Sequence, residues 1–309
     1  MLRISRWTAL QVRITVVAWL VLVVPAGLVT ALNYGRVADI MRADRINTVV
    51  RIADFRHDKL SMLLRRQAVR ARVLLANYLR HCDANALTRG CGRDELRGYL
   101  DSEQAVGLVL ANAAGDQLQQ GAPGISGAEI PHLASGQLAQ FSSNQPDPGR
   151  RYYIVADLPQ AGLRVAVTYP LQAINAIFEP HPDLGASGEN FLTDTDGFFI
   201  SKARYTSIQG HSHPIAARPL EQCLRSDHGS AIDLDYRGVV VIHGFRQVPE
   251  IGGGCIMAHI DAVEAFAPLA ALEESTELLA LAYAVLALIA AAWFGTWIAR
   301  LLAQAQARA

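Results

Sequence analysis

The sequence lacks an excess of charge of either sign, because 28 Lys and Arg residues balance 28 Asp and Glu residues over 309 positions. Without a basic patch there is no electrostatic footprint for nucleic acid, and we expect no nucleic-acid partner. The sequence also lacks the GxSxG, HExxH, phosphate-loop and dinucleotide-binding motifs of common enzyme classes. We therefore expect neither enzymatic activity nor a bound cofactor.

Charged residues are missing altogether from two apolar stretches, residues 14–32 and 278–298. Each is close to the length of about 20 residues that crosses the hydrocarbon core as a helix. The sequence therefore predicts two transmembrane helices. The alternative for the first stretch is a cleaved signal peptide, with the cleavage site at "VTA" in Val29–Ala31, although the apolar part of a signal peptide is usually shorter, at about 7–15 residues.

Basic residues flank both stretches on their outer ends and predict the orientation. Arg3, Arg6 and Arg13 precede the first stretch, and Arg300 and Arg308 follow the second. Positive charge favours the cytoplasmic side of a membrane. Residues 1–13 and 299–309 are thus expected in the cytoplasm, and residues 33–277 outside it.

Cysteine is scarce, and its four residues all fall between the two apolar stretches. Four cysteines allow three pairings. A bridge between Cys82 and Cys91 would close a short loop, and a bridge between Cys223 and Cys255 would tie together two parts of the C-terminal half. Disulfides form in exported domains. Zinc binding is the competing interpretation, but no CxxC pair is present.

Proline is absent from residues 34–80, and glycine occurs there only at Gly35. Apolar residues recur at helical spacing throughout this segment, which predicts one long helix. This helix forms most of a predicted stalk region, residues 33–99. The region also includes the loop between Cys82 and Cys91. A long helix of this kind gains stability by packing beside an identical copy, so we expect a parallel homodimer.

The remaining exported segment contains an internal repeat. Asn112 and Gly115 lie in "GLVLANAAGDQL", and Asp194 and Gly197 have the same spacing in "NFLTDTDGFFI". Asn or Asp followed by Gly is typical of a turn between two strands. The repeat predicts two sheet modules, residues 100–180 and 186–268, and a helix over 269–277 that leads into the second apolar stretch.

The segment "GRRYYIVAD" combines groups that suit a small anionic or zwitterionic ligand: guanidinium donors, aromatic walls and an acid. On a strand Arg151 and Tyr153 share one face, and Arg150 and Tyr152 share the other. Together with Asp157 these residues are the candidate ligand-binding set. The alternative is an ordinary strand with surface arginines.

A second candidate site is the HxH pair of His211 and His213. Such a pair binds a transition metal if a third ligand joins it. The competing interpretation is two solvated loop histidines, and we expect no metal site.

Three segments carry a family resemblance: "GENFLTDTDGFFISKARY" at 188–205, "DYRG" at 235–238 and "IDAVEAFAPL" at 260–269. They resemble the double Cache sensor domains of bacterial histidine kinases, chemoreceptors and diguanylate cyclases. The resemblance implies an α+β protein of two PAS-like antiparallel-sheet modules in the periplasm, anchored in the inner membrane. The first module would be membrane-distal and the second membrane-proximal.

The resemblance extends to individual residues. Part of an amino-acid-binding motif of double Cache receptors matches Arg150, Tyr152, Tyr153 and Ala156, with Tyr152 where Trp is usual. In the second module, residues that shape these domains, and a possible pocket there, correspond to a set of four: Arg204, Tyr205, Tyr236 and Arg237.

These observations predict a transmembrane sensor of a small molecule, such as an amino acid or a carboxylate. The family pattern continues into a HAMP linker and a kinase or cyclase, which this sequence does not contain. The effector is therefore expected either in a portion absent from this chain or in a separate cytoplasmic signalling partner. One alternative is a membrane-tethered periplasmic protein that recruits another envelope protein. Another is a degraded receptor that has lost its output half.

Overall fold

The computed structural model describes residues 2–141, 150–180, 182–205 and 218–308. By their internal packing the residues form two compact units. One unit combines Met1–Arg45 with Phe266–Ala309, and the other consists of Ile46–Ala265.

The first unit is a pair of helices, contributed by α1 (Leu2–His81) and α5 (Ala262–Arg308). Both are long and apolar enough to cross a membrane by length and composition. The Trp19 indole nitrogen donates to the Ala284 carbonyl at 2.9 Å, and the Tyr283 hydroxyl donates to the Leu22 carbonyl at 3.3 Å. These bonds give polar side-chain atoms a partner inside the helix pair, where lipid offers none.

The second unit contains the rest of α1 and two antiparallel sheets. The first sheet has the strand order β2-β1-β5-β4-β3. Its strands are β1 (Gly107–Asn112), β2 (Gln117–Gly121), β3 (Ala139–Phe141), β4 (Arg151–Leu158) and β5 (Leu163–Pro170). Helix α2 (Arg93–Glu103) precedes this sheet, and α3 (Gln172–Ile177) comes after it.

The second sheet has the order β6-β9-β8-β7. Its strands are β6 (Glu189–Thr193), β7 (His228–Leu234), β8 (Val240–Val248) and β9 (Gly254–Asp261), and α4 (Arg218–Arg225) packs against it. The protein thus combines helices, among them a long N-terminal one, with two antiparallel sheets. This confirms the predicted α+β class.

The repeated turns have the predicted geometry. The Asn112 carboxamide oxygen accepts the backbone N–H groups two and four residues on, and the Asp194 carboxylate does the same. Gly115 and Gly197 complete these turns with φ of 89° and 88°, which a residue with a side chain rarely adopts. The Asp235 turn repeats the pattern a third time.

The two repeats differ on the C-terminal side of the turn. In the first, β1 pairs with β2 over a regular ladder. In the second, the returning chain makes only one isolated bridge, between Thr193 and Phe199. The reason is local: the Ser201 hydroxyl accepts the Leu192 N–H at 2.9 Å and thereby replaces a ladder carbonyl. The predicted second strand is therefore wrong at this position.

Both sheets pack against α1. Gly244 on β8 lies so close to the Val49 backbone that a Cβ at this position would collide with the Val49 carbonyl. On the first sheet, the buried Tyr152 ring stacks on Tyr169 with centroids 5.4 Å apart, and its hydroxyl hydrogen-bonds to Gln67 of α1.

Two disulfides brace the second unit. Cys82 pairs with Cys91 at a Cα–Cα distance of 5.9 Å, and Cys223 pairs with Cys255 at 6.3 Å. The second bridge is fully buried and joins α4 to β9 within the core around Phe191. Because all four thiols are used in bridges, they are not available as zinc ligands.

Candidate functional site

Strand β4 brings Arg151 and Tyr153 to one face of the first sheet, as the strand alternation predicts. Their polar ends converge over Gly124: a Cβ built there would lie 3.6 Å from the Tyr153 hydroxyl and 3.7 Å from the Arg151 Nη1. The same Nη1 donates to the Ala122 carbonyl at 2.8 Å. Gly124 has φ of 73°, a backbone conformation that a residue with a side chain rarely adopts.

This face changes in character along the strands. At one end lies Thr168, which is on β5 directly opposite Tyr153. Its hydroxyl donates to the Pro123 carbonyl at 2.7 Å. The centre is an apolar cluster of three strand residues and one residue from the connection between β2 and β3. Its members are Val109, Val155 and Ala166 from the strands and Ile130 from the connection. At the far end the Asp157 carboxylate accepts a 2.7 Å hydrogen bond from Arg164. The face is thus polar, then apolar, then charged.

Arg150 and Tyr152 point to the other side and have structural partners. Arg150 is 6% exposed and donates to the Phe199 carbonyl at 2.7 Å, which ties the start of β4 to the segment after β6. Burial raises the pKa of Tyr152 to about 12, so its phenol stays neutral at physiological pH. The five predicted residues therefore do not form one site, and Arg151 with Tyr153 is the pair that shares the other face of the sheet.

In the second module the structure brings all four predicted residues together. The Arg237 guanidinium lies 4.4 Å from the Tyr205 ring centroid and binds Asp235 and Asp261, each at 2.5 Å. The Arg204 guanidinium lies 5.5 Å from the same ring centroid, and Tyr236 donates its hydroxyl to Glu189. These contacts hold the Asp235 turn to the strands around it.

A buried polar row crosses the second sheet, and sequence reasoning missed it. Glu189, His259 and His243 are direct neighbours on β6, β9 and β8. His259 Nε2 lies 3.1 Å from the Glu189 carboxylate, and the two imidazole rings meet edge to face with centroids 5.3 Å apart. Burial, reinforced by the neighbouring His259, lowers the pKa of His243 to about 3. The three residues become neighbours through the pairing register of strands that are far apart in the sequence. No short sequence motif indicates such a row.

A second missed feature lies where α5 begins. The Glu264 carboxylate accepts the N–H groups of Ala186 and Ser187, each at 2.7 Å. Hydrogen bonding by Ser187 and Ala186 lowers the pKa of Glu264 and keeps it ionised. Gly185 approaches the same carboxylate so closely that a Cβ would collide with it. The available signal was a glycine-rich loop together with an acid in a first helical turn.

The HxH pair, His211 and His213, lies outside the described residues. Within the part of the chain that the structure describes, no group of three or more His, Cys, Asp or Glu side chains is placed to hold a metal ion.

Comparison with known proteins identifies the fold. No family model matches the sequence, and no curated protein matches it. Among solved structures, the ligand-binding domain of the Pseudomonas fluorescens chemoreceptor CtaA, in complex with L-isoleucine, is 14% identical with a TM-score of 0.51. The sensory domain of the Campylobacter jejuni chemoreceptor Tlp3 (CcmL), with isoleucine bound, is 9% identical with a TM-score of 0.52.

Each comparison covers 74% of this chain and 97% of the matched domain. The chain therefore contains, over nearly the whole length of those domains, the double-module fold of chemoreceptor ligand-binding domains. This confirms the predicted resemblance to periplasmic sensor domains at the level of the fold.

Proposed function

We propose that this chain is a transmembrane sensor that binds a small molecule outside the cytoplasm and reports it across the bacterial inner membrane. The observation that carries the proposal is the combination of a chemoreceptor-type sensory fold with two membrane-length apolar helices. Helices α1 and α5 both run from the sensory unit into an apolar stretch. The sensory fold thus has a covalent helical connection to each span.

The face with Arg151 and Tyr153 is the proposed ligand site in the membrane-distal module. A guanidinium and a phenol that converge beside a glycine suit a carboxylate, and the adjoining apolar cluster suits an aliphatic group. An amino acid combines both, and isoleucine is the molecule bound in two of the similar chemoreceptor domains. We therefore assign the ligand to the class of amino acids and related carboxylates.

The signal leaves through the first turn of α5. Glu264 is hydrogen-bonded to the backbone of the loop before β6, so a movement of that loop acts directly on the helix that contains the second span. To produce a signal, a ligand needs only to bind one of two conformational states more tightly than the other. A difference of about 1.4 kcal/mol in binding free energy changes the population ratio of the two states tenfold.

The active form is a parallel homodimer formed along α1. Phe55, Met62 and Val69 follow one another at intervals of seven residues, the spacing of a helix–helix seam. They are 45%, 67% and 58% exposed, although apolar, so this helix presents an accessible apolar stripe. A second copy offers the same stripe, which makes the contact self-complementary.

The proposed topology places residues 33–277 in the periplasm and residues 1–13 and 299–309 in the cytoplasm, where a signalling partner receives the output. A reporter that functions only in the cytoplasm, fused after Ala309, should be active. Its export would contradict this orientation.

Ligand binding is tested on the full chain in lipid nanodiscs with a panel of amino acids and short carboxylates. We expect a thermal shift with at least one member, and a loss of affinity of about tenfold or more in Arg151→Ala, since hydrogen bonds to charged groups contribute about 1.5–3 kcal/mol. Arg97→Ala, which removes an exposed arginine from α2, is the matched control. If no member of the panel binds, the proposal fails and a recruiting protein becomes the better description.

A further inference from the structure

A cavity of about 360 Å³ lies beside the first strand of the second sheet. Its walls come from α3, from the start of β6 and from the segment around Lys202. The volume is at the lower end of the range for ligand sites, about 300–1,000 Å³, and admits a molecule of only a few heavy atoms. The cavity is separate from the face that carries Arg151 and Tyr153, since neither residue lines it.

Asn190 supplies a buried acceptor that has no partner. It is 2% exposed, and its carboxamide nitrogen donates to the Glu179 carbonyl at 3.3 Å. Because that partner is a carbonyl, the NH₂ group must face it and the oxygen must face the other way. This oxygen has no hydrogen-bond partner among the described residues. An unpaired buried acceptor costs free energy that a donor in the cavity would recover.

The charges around the cavity favour an anion. The Glu189 carboxylate already accepts the Tyr236 hydroxyl and the Arg204 backbone N–H. Glu179 acts electrostatically on the Arg56 guanidinium. Within the described residues no acid holds the ammonium of Lys202, whose backbone N–H is fixed by the Asn175 side chain at 2.9 Å. The lining of the cavity therefore includes both a positive charge and a neutral acceptor.

We propose that this cavity is a second ligand site, for a small carboxylate that carries a hydroxyl or ammonium donor beside its carboxyl group. Lys202 binds the carboxylate, and the Asn190 oxygen accepts the donor. The Gly188 and Glu189 wall of the cavity adjoins the loop that binds Glu264. An occupant at this site thus contacts residues next to the loop that is hydrogen-bonded to the start of α5, independently of the first-sheet face.

The test is calorimetric titration of the full chain in nanodiscs with L-lactate and L-serine, which carry a hydroxyl and an ammonium donor respectively. Acetate has the charge without the donor, and glycerol has donors without the charge. We expect lactate or serine to bind, and Lys202→Gln and Asn190→Leu each to weaken that binding about tenfold or more. Acetate and glycerol should bind at least about tenfold more weakly than the better of the two.

Two controls separate this site from the first-sheet face. Arg225→Gln removes an exposed cation from α4 and should leave the affinity unchanged, and so should Arg151→Gln. Lys202 is exposed, so Lys202→Gln stays informative even if Asn190→Leu fails to fold. The site is refuted if neither lactate nor serine binds at millimolar concentration. It is also refuted if binding is lost in Arg151→Gln and kept in Lys202→Gln, because the ligand then occupies the first-sheet face.

Discussion

The guanidinium of Arg150 lies 3.2 Å from the carboxylate of Asp194, and this ion pair joins the start of β4 to the turn after β6. The Phe199 carbonyl accepts a second hydrogen bond from the same guanidinium. A residue that the sequence offered as a ligand contact is thus a link between the two sheets.

Removing this link should destabilise the sensory unit. We expect Arg150→Leu to lower the free energy of unfolding by about 2–4 kcal/mol, since it removes a buried hydrogen bond to the Phe199 carbonyl and the cationic partner of the partly buried Asp194 carboxylate. The measurement is denaturant unfolding of the full chain followed by near-ultraviolet circular dichroism. Arg225→Leu, which breaks an exposed pair with Glu221, is the control and should change little. Equal effects of the two substitutions would contradict the structural role of Arg150.

The dimer stripe makes a prediction about proximity. In a parallel two-fold pair Met62 lies beside Met62 of the other copy, so Met62→Cys should cross-link under mild oxidation in the membrane. Arg72→Cys is the control, because Arg72 is also exposed on α1 but lies about 80° around the helix from Met62. Cross-linking of both variants to the same extent, or of neither, would argue against this seam.

Glu250 and His57 make stability depend on pH. The His57 imidazole, 3.5 Å from the Glu250 carboxylate, together with the hydrogen bond from Ser61, lowers the pKa of Glu250 to about 2. The same contact raises the pKa of His57. The contribution of Glu250 is present above its unfolded pKa of about 4.3 and is lost as the pH falls towards 2. The contribution of His57 is present below about pH 6.5 and is lost as the pH rises through its raised folded pKa.

The pair therefore stabilises most between about pH 4.5 and 6.5. Glu250→Gln should remove this maximum from a plot of unfolding free energy against pH, with a loss on the order of 2 kcal/mol inside the window. Asp58→Asn, which changes an exposed acid beside His57, is the control and should keep the maximum. A profile for Glu250→Gln that parallels the parent protein would refute the assignment.

His243 predicts a different pH window. Its folded pKa of about 3 is below the unfolded value of about 6.5, so the unfolded chain binds more protons between these values. Stability should therefore fall as the pH drops from about 6.5 towards 3. His243→Leu should flatten this part of the profile, whereas His228→Leu, at an exposed position on β7, should not. The same slope in His243→Leu and the parent would show that this imidazole does not titrate as described.

Local features of the chain could be predicted because their causes are local. The charge-free stretches, the long helix without proline and the Asn112 and Asp194 turns each depend on residues a few positions apart. Strand alternation likewise placed Arg151 and Tyr153 on one face without knowledge of the fold. The family resemblance supplied the two-module architecture.

Contacts between distant residues could not be predicted in this way. Ser61 and Glu250 are 189 positions apart, and Ala186 and Glu264 are 78 positions apart, yet each pair is joined at 2.7 Å. Whether Arg150 faces a ligand or Asp194, and whether the Asn190 oxygen has a partner, depends on which elements pack together.

The sequence by itself determined the spans, the long helix and the faces of the strands, since backbone stereochemistry and apolar patterning act over a few residues. Only the tertiary structure decided which polar groups are satisfied and which open onto a cavity, since burial and hydrogen bonding depend on neighbours from the whole chain.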